Sequence, residues 1–213
     1  MQETPFVRRC APLAGFRNIA DVCCGMGRHA QALSKHGYSV IGIDRDADVI
    51  AKARALAGGP TYINADVRDY RPDARACDVA MIMSQSFGYF GATTNREMLG
   101  RLAAGVREGG RVILDLWSAE FFLAHQGRYE FKTPGGVVRE TKRVEEDRLL
   151  VYLDYPDGTE DNFEWQLFSP AQMISMAESV GLRQLLACTD FDETTSPCPT
   201  NPRVQFVFER YRA

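Results

Sequence analysis

Apolar residues recur along this chain in two rhythms, short unbroken runs and stretches of helical spacing. An apolar run opens at Ile19 and gives way to a glycine-bearing loop, Asp21-Val22-Cys23-Cys24-Gly25-Met26-Gly27. Arg28 to His36 then carries Ala30 and Leu33 at helical spacing and stops at Gly37, since helices commonly end on a left-handed glycine. Tyr38 to Ile43 is the next apolar run, closed by Asp44. Asp46 to Ala57 returns to helical spacing, with Val49, Ile50, Ala53 and Leu56 on one face and Gly58-Gly59-Pro60 as its stop. Thr61 to Asn64 reads as a short strand, and Asp78 to Met83 as a strand covered on both faces. The loop Ser84 to Gly91 follows it. Thr94 and Glu97 stand at capping-box spacing before Met98, Leu99, Leu102, Ala103 and Val106, with Gly109-Gly110 as the stop and Arg111 to Leu116 as the next buried strand.

Ahead of this series, Thr4 to Leu13 predicts a short helix with Phe6, Cys10 and Leu13 near one face and Pro12 interrupting it. Repeated strand and helix imply a doubly wound, mostly parallel sheet that binds ligands at the C-terminal ends of its strands. From Arg128 to Phe168 the period shortens to two: Leu149, Val151, Leu153 and Tyr155 face one way, and Phe163, Trp165 and Leu167 repeat the pattern after Pro156-Asp157-Gly158. This predicts an antiparallel flap inserted after the fifth strand. Ser169, Pro170 and Gln172 start a helix that Gly181 stops, and Leu182 to Thr189 and Val204 to Arg210 bring the main sheet to seven strands. The expectation is one α/β domain over residues 1–213 with the flap at 128–168.

Composition acts mainly by exclusion. A chain of 213 residues suits one well-buried core, and a net charge of -3 offers no general attraction to nucleic acid or membrane lipid. No apolar run reaches the roughly 18 residues needed to cross a bilayer, and Met1 to Cys10 lacks a signal-peptide core, so the expected location is the cytoplasm. Six scattered cysteines point to reduced thiols, and the adjacent pair Cys23-Cys24 lacks CxxC spacing, so no metal is expected.

The chemistry concentrates in the loops. Gly25, Gly27 and Ala30 satisfy GxGxxA, which lets a nucleoside cofactor approach the backbone beside a helix start. Asp44, ending the neighbouring strand, has the position of a carboxylate that accepts from both ribose hydroxyls. A nicotinamide-dependent oxidoreductase would need a glycine closer to the strand end and no acid at Asp21. Asp21 instead suits a cationic ligand group, or serves as a structural acid bonding nearby amides, and Asp66 suits an adenine amino group. Arg28 opposes the dipole of the helix it opens, which fits a partner such as a cofactor carboxylate. His29 reads as a surface or packing residue, His36 as a helix-end contact, and His125 as the histidine placed to reach an acceptor.

With those residues in view, the chain resembles the class I, Rossmann-like S-adenosylmethionine-dependent methyltransferases from about Ile19 to its C-terminus. Asp21 to Gly27 matches their first motif, with Cys23 where many members carry glycine; Asp44 matches the ribose acid and Asp66-Val67 the adenine pair. The segment Met83 to Phe90 is similar to the loop that lines the methyl-transfer site in small-molecule N-methyltransferases, including sugar-amine dimethyltransferases. The resemblance implies cofactor contacts from Asp21, Cys23, Gly25, Gly27, Arg28, Asp44 and Arg45, and further ones from Asp66, Val67, Met83 and Ser84. Gln85, Ser86 and Tyr89 would place the acceptor, and His125 would be the base if one is needed. Related enzymes carry a longer N-terminal segment, so the expectation includes a partial lid or one supplied by a partner chain in a homodimer. The implied function is methyl transfer from S-adenosylmethionine to a small molecule, with an amine nitrogen favoured over oxygen. A cofactor-binding subunit without catalysis is the reading from another class; a nucleic-acid methyltransferase lacks support, because no basic stripe with interleaved aromatics is present.

Overall fold

The computed structural model describes residues 2–56 and 58–211. Helix α1 (Glu3–Cys10) buries Phe6 and Val7. It is followed by β1 (Asn18–Val22), α2 (Arg28–Lys35), β2 (Ser39–Asp44), α3 (Ala47–Ala55) and β3 (Thr61–Asn64). Next come β4 (Cys77–Ile82), α4 (Ala92–Gly105), β5 (Val106–Trp117) and the short α5 (Ala119–Ala124). Strands β6 (Gly127–Thr133), β7 (Gly136–Glu145), β8 (Arg148–Asp154) and β9 (Glu160–Gln166) form a separate antiparallel sheet, before α6 (Pro170–Glu178), β10 (Leu182–Cys188) and β11 (Arg203–Arg210).

The main sheet has seven strands in the order β10-β11-β5-β4-β1-β2-β3, and β11 alone runs antiparallel to its neighbours. The fold is therefore the doubly wound, mostly parallel sheet expected, with the antiparallel flap after the fifth strand. Its apolar strands are covered on both faces: Ala80 and Ile82 of β4 pack into one cluster, with α4 and α6, while Val79 and Met81 pack into the other, with α1 and α2. The chain order reverses between β1 and β4, and the crevice outside the strand ends at such a point is where ligands bind in folds of this type.

Local signals misplaced several boundaries. Helix α4 starts ahead of the Thr94/Glu97 box, with Gly91 as N-cap, and Glu97 pairs instead with Arg101 one turn on. Gly109 and Gly110 do not stop that helix but form an irregularity within β5, because a Cβ at Gly110 would stand 2.6 Å from the Asp78 carbonyl oxygen on β4. A left-handed glycine looks the same in sequence whether it ends a helix or bends a strand. Leu56 lies past the end of α3 and is 52% exposed, off the buried face assigned to it, and Ala57, the expected last helical residue, lies outside the described residues. The helix start at Ser169 has the capping box and the proline as expected.

The flap is tied to the loop after β4. Gly88 accepts a hydrogen bond from the Gln166 amide at 2.7 Å, and a Cβ there would stand 2.8 Å from the Gln166 carbonyl oxygen. The Phe90 carbonyl accepts from Asn95 Nδ2 at 2.7 Å and from Arg148 Nη1 at 2.9 Å. The flap base is thereby fixed to the end of the sheet that carries the glycine loop.

Candidate functional site

The glycine loop keeps its left-handed path despite the cysteine in it. Cys23 takes φ 59°, Gly25 φ 54° and Gly27 φ 75°, so Cys23 adopts the conformation that glycine would hold without strain. Gly25 and Gly27 have different reasons. A Cβ at Gly25 would meet nothing within 4 Å, whereas one at Gly27 would stand 2.1 Å from the Tyr62 hydroxyl. Gly27→Ala is thus expected to destabilise the fold by about 1–3 kcal/mol through overpacking and backbone strain, measured by urea unfolding; an unchanged midpoint would contradict the packing argument.

Helix α2 has Gly27 as its N-cap and no side-chain cap of its own. From β1, Asp21 stands near the Ala30 amide, one of the donors a helix start leaves open, and that amide favours its charged form. The carboxyl group is 1% exposed and its Oδ2 has no partner. Burial pushes its pKa up to about 7. His29, one position before Ala30, is buried too, and burial with the Arg28 charge holds it neutral, down to about 4.

Asp44 ends β2 beside the loop. Its Oδ2 accepts the Gly25 amide at 2.9 Å and its Oδ1 accepts the Asp46 amide at 3.0 Å. Each carboxylate oxygen has a second lone pair for a ligand. Asp66 follows β3 and is gripped by Arg68, whose backbone amide and Nε donate to Oδ1 at 2.8 and 3.0 Å and whose Nη2 donates to Oδ2 at 2.7 Å. That grip pulls the Asp66 carboxyl down to about 2. Arg68 also lies over the Phe90 ring, 5.1 Å from its centroid.

These strand ends border a cleft of about 430 Å³, within the size range of small-ligand sites. Cys23, Asp44, Arg45, Asp66 and Val67 line one side of it, and Ser86, Tyr89 and Phe90 the other. Sequence-predicted cofactor and acceptor residues thus meet in one cavity. Behind Tyr89 stand further aromatics: Tyr89 lies 5.0 Å from Trp165 of the flap, which is 6.1 Å from Trp117 at the end of β5 and 5.7 Å from Phe163.

Asp21, Gly25 and Gly27 lie beside the cleft without lining it, and Arg28, Met83, Ser84, Gln85 and His125 do not line it either. Met83 is buried at 2% exposure. Gln85 turns away, its Nε2 donating to Asp115 at 2.6 Å. Arg28 donates to Ser84 Oγ at 3.3 Å and lies 3.4 Å from Glu3, so it is held within the protein, and Ser84 itself takes φ 56° with its amide on Asp115. His125 is exposed, stacks on Phe121 at 4.0 Å and has Nδ1 2.8 Å from the Phe121 carbonyl. The base expected there is instead the closing residue of α5. What the sequence reading missed is Asp115, and its one visible signal is an acid inside the apolar run Val112 to Leu116.

The residues present fit a nucleoside cofactor bearing an ammonium group. Asp44 retains acceptor capacity for two hydroxyls, the space above Gly25 is open, and the buried Oδ2 of Asp21 lacks a donor. Among the described residues no cluster of three His, Cys, Asp or Glu is arranged to hold a metal ion, and no helix is long and apolar enough to cross a membrane.

Residues 19–110, a little under half of the chain, match the family described as a methyltransferase domain. A protein from Streptomyces fradiae named dTDP-3-amino-3,6-dideoxy-alpha-D-glucopyranose N,N-dimethyltransferase is 31% identical over 111 residues, 52% of this chain and 43% of that protein. The chain therefore aligns with less than half the length of this curated relative. Among solved structures, an S-adenosylmethionine-dependent methyltransferase from Clostridium acetobutylicum superimposes with TM-score 0.85 at 14% identity, covering 99% of this chain and 92% of its own. An S-adenosylmethionine-bound amino pentose methyltransferase from Micromonospora echinaspora does so with TM-score 0.75 at 16% identity, covering 98% and 88%. At these identities the two structures establish the shared fold. With the motif loop and the match over residues 19–110, the chain resembles the class I, Rossmann-like S-adenosylmethionine-dependent methyltransferases, the sugar-amine enzymes among them.

Proposed function

We propose that this protein transfers a methyl group from S-adenosylmethionine to the amine nitrogen of a small, sugar-like acceptor. The observation that carries the reading is the cleft itself, where the strand-end acids Asp44 and Asp66 face Ser86 and Tyr89 beneath the aromatic flap. The cofactor supplies an electrophilic sulfonium methyl with a good leaving group. The protein's part is then to bind, to orient and to exclude water. In this reading Asp44 takes the ribose, Val67 and Asp66 the adenine, and Asp21 the ammonium group, while Ser86 and Tyr89 set the acceptor opposite and Trp165 and Trp117 keep solvent out.

The preference for nitrogen rests on which groups line the cleft. A neutral amine attacks with its own lone pair and sheds its proton afterwards, whereas a hydroxyl needs a base. The lining acids Asp44 and Asp66 are engaged by backbone amides and by Arg68, and His125 is not among the lining residues. The name of the Streptomyces fradiae relative supports an amino sugar as the acceptor class.

The test is an acceptor panel of amino sugars and their nucleotide conjugates, each paired with the hydroxyl compound of the same shape, read by product mass. Turnover of amines at least about tenfold above their hydroxyl partners is expected, because unassisted hydroxyls forgo the general-base contribution. His125→Ala should leave that turnover essentially unchanged. Faster turnover of hydroxyls, or its loss in His125→Ala, would overturn the nitrogen assignment.

A further inference from the structure

Strand β5 carries a carboxylate in its apolar C-terminal half. Asp115 is fully buried, and a charge so placed is tolerated only when it is paired and hydrogen-bonded. Its donors come from two distant stretches of chain. On β11, Arg203 donates through Nε to Oδ1 at 3.1 Å and through Nη2 to Oδ2, and Gln205 Nε2 donates to Oδ1 at 2.8 Å. In the loop after β4, the Ser84 amide donates to Oδ2 at 2.9 Å and Gln85 Nε2 at 2.6 Å, while the Gln85 amide reaches the Asp115 carbonyl at 3.1 Å.

Ser84 and Gln85 are consecutive non-glycine residues in the left-handed region, φ 56° and 58°. Side chains disfavour that conformation, and it persists where surrounding contacts over-determine it. Asp115 supplies those contacts. The turn then directs Ser86 and Tyr89 to the cleft. The same network runs on to the glycine-loop helix: Arg203 Nη1 lies 3.7 Å from Glu3, Glu3 lies 3.4 Å from Arg28, and Arg28 returns to Ser84 Oγ at 3.3 Å. Five residues from α1, α2, β5, β11 and the loop thus close a ring.

We infer that Asp115 is a positioning residue for methyl transfer, which through its charge holds the Ser84-Gln85 turn and so sets where Ser86 and Tyr89 meet the acceptor. Its effect on turnover rests on the methyl-transfer reading; its effect on the loop does not. A residue that merely secured β5 to β11 would act on those strands instead.

Asp115→Asn in the full chain separates the two roles, since it keeps the shape but removes the charge and turns an N–H group toward existing donors. Asp115→Asn with Arg203→Gln removes both charges and serves if the single variant fails to fold. Hydrogen exchange at amides 84–89 is expected to quicken at least about tenfold in either folded variant, with the β5 and β11 amides unchanged. With an amine acceptor, kcat should fall at least about tenfold while KM for S-adenosylmethionine moves less than about threefold. Unchanged exchange at 84–89, or equal acceleration along β5 and β11, would overturn the assignment. If the wild type methylates nothing, the methyl-transfer reading fails, and the exchange pattern still decides whether Asp115 orders the loop.

Discussion

Asp44→Ala is expected to weaken S-adenosylmethionine binding at least about a hundredfold, or about 3 kcal/mol, the sum of two hydrogen bonds to a charged group at about 1.5 kcal/mol or more each. The carboxylate ends β2 with one lone pair on each oxygen uncommitted, placed to accept two ribose hydroxyls. The substitution also removes the acceptor that holds the Gly25 amide, so the loop loses an anchor together with the ligand contact. Calorimetric titration of both proteins gives the comparison. Asp46→Ala is the control: Asp46 caps α3 by accepting the Asp48 and Val49 amides at 3.0 Å, and it does not line the cleft. That variant should lose stability by about 1 kcal/mol, as caps typically do, and keep its affinity. An Asp44→Ala protein that binds within about threefold of the wild type would remove the ribose assignment.

The second large effect concerns Asp21, where stability and binding should move in opposite directions. Burial raises its pKa from the ordinary value of 3.8 to about 7 in the folded protein. The folded state therefore holds the proton more tightly than the unfolded one, and the contribution of this group to stability declines as pH rises from about 4 and levels off above about 7. Asp21→Asn keeps the shape of the side chain and has no charge to bury. It should match the wild type near pH 4 and become more stable above pH 7, by up to about 4 kcal/mol at about 1.4 kcal/mol per pKa unit. The same variant should bind S-adenosylmethionine less well at pH 8, and wild-type affinity should rise between pH 6 and pH 8, because pairing with an ammonium group requires the ionised carboxylate. Urea unfolding and calorimetry at the two ends of that range measure both. A stability difference that does not change with pH would show that the carboxyl group carries no burial cost, and a pH-independent affinity would deny it the ammonium.

Much of this site was legible in the chain because its first half is local. The strand, the loop Asp21 to Gly27 and the acid Asp44 lie within 27 residues of one another, and their types and spacing carry the chemistry directly. Asp66 was equally visible, but its capture by Arg68, two residues away, was not, because the sequence gives no rotamer. The Asp115 network lies beyond sequence reading for another reason: Arg203 and Gln205 are 88 and 90 residues from Asp115, joined only through the pairing of β5 with β11. The sequence places Gln85 in a loop at the strand ends and so among the acceptor residues, yet a left-handed turn sends its side chain toward β5. His125 reads as an acceptor base because it follows the fifth strand, and α5 spends it on its own last turn. The flap was legible from its alternation, whereas its attachment through Gly88 and Gln166 depends on a backbone contact that no residue type announces.

We propose the cleft between Asp44, Asp66 and Tyr89 as the cofactor site for methyl transfer. Its most direct test is the crystal structure of the protein grown with S-adenosylhomocysteine, the demethylated product. Ribose hydroxyls are expected on the Asp44 carboxylate, adenine beside Val67, the ammonium group over Asp21 and the sulfur facing Ser86 and Tyr89. A nucleoside bound elsewhere, or an Asp44 carboxylate bonded only to the Gly25 and Asp46 amides with the ligand in contact with other residues, would contradict it.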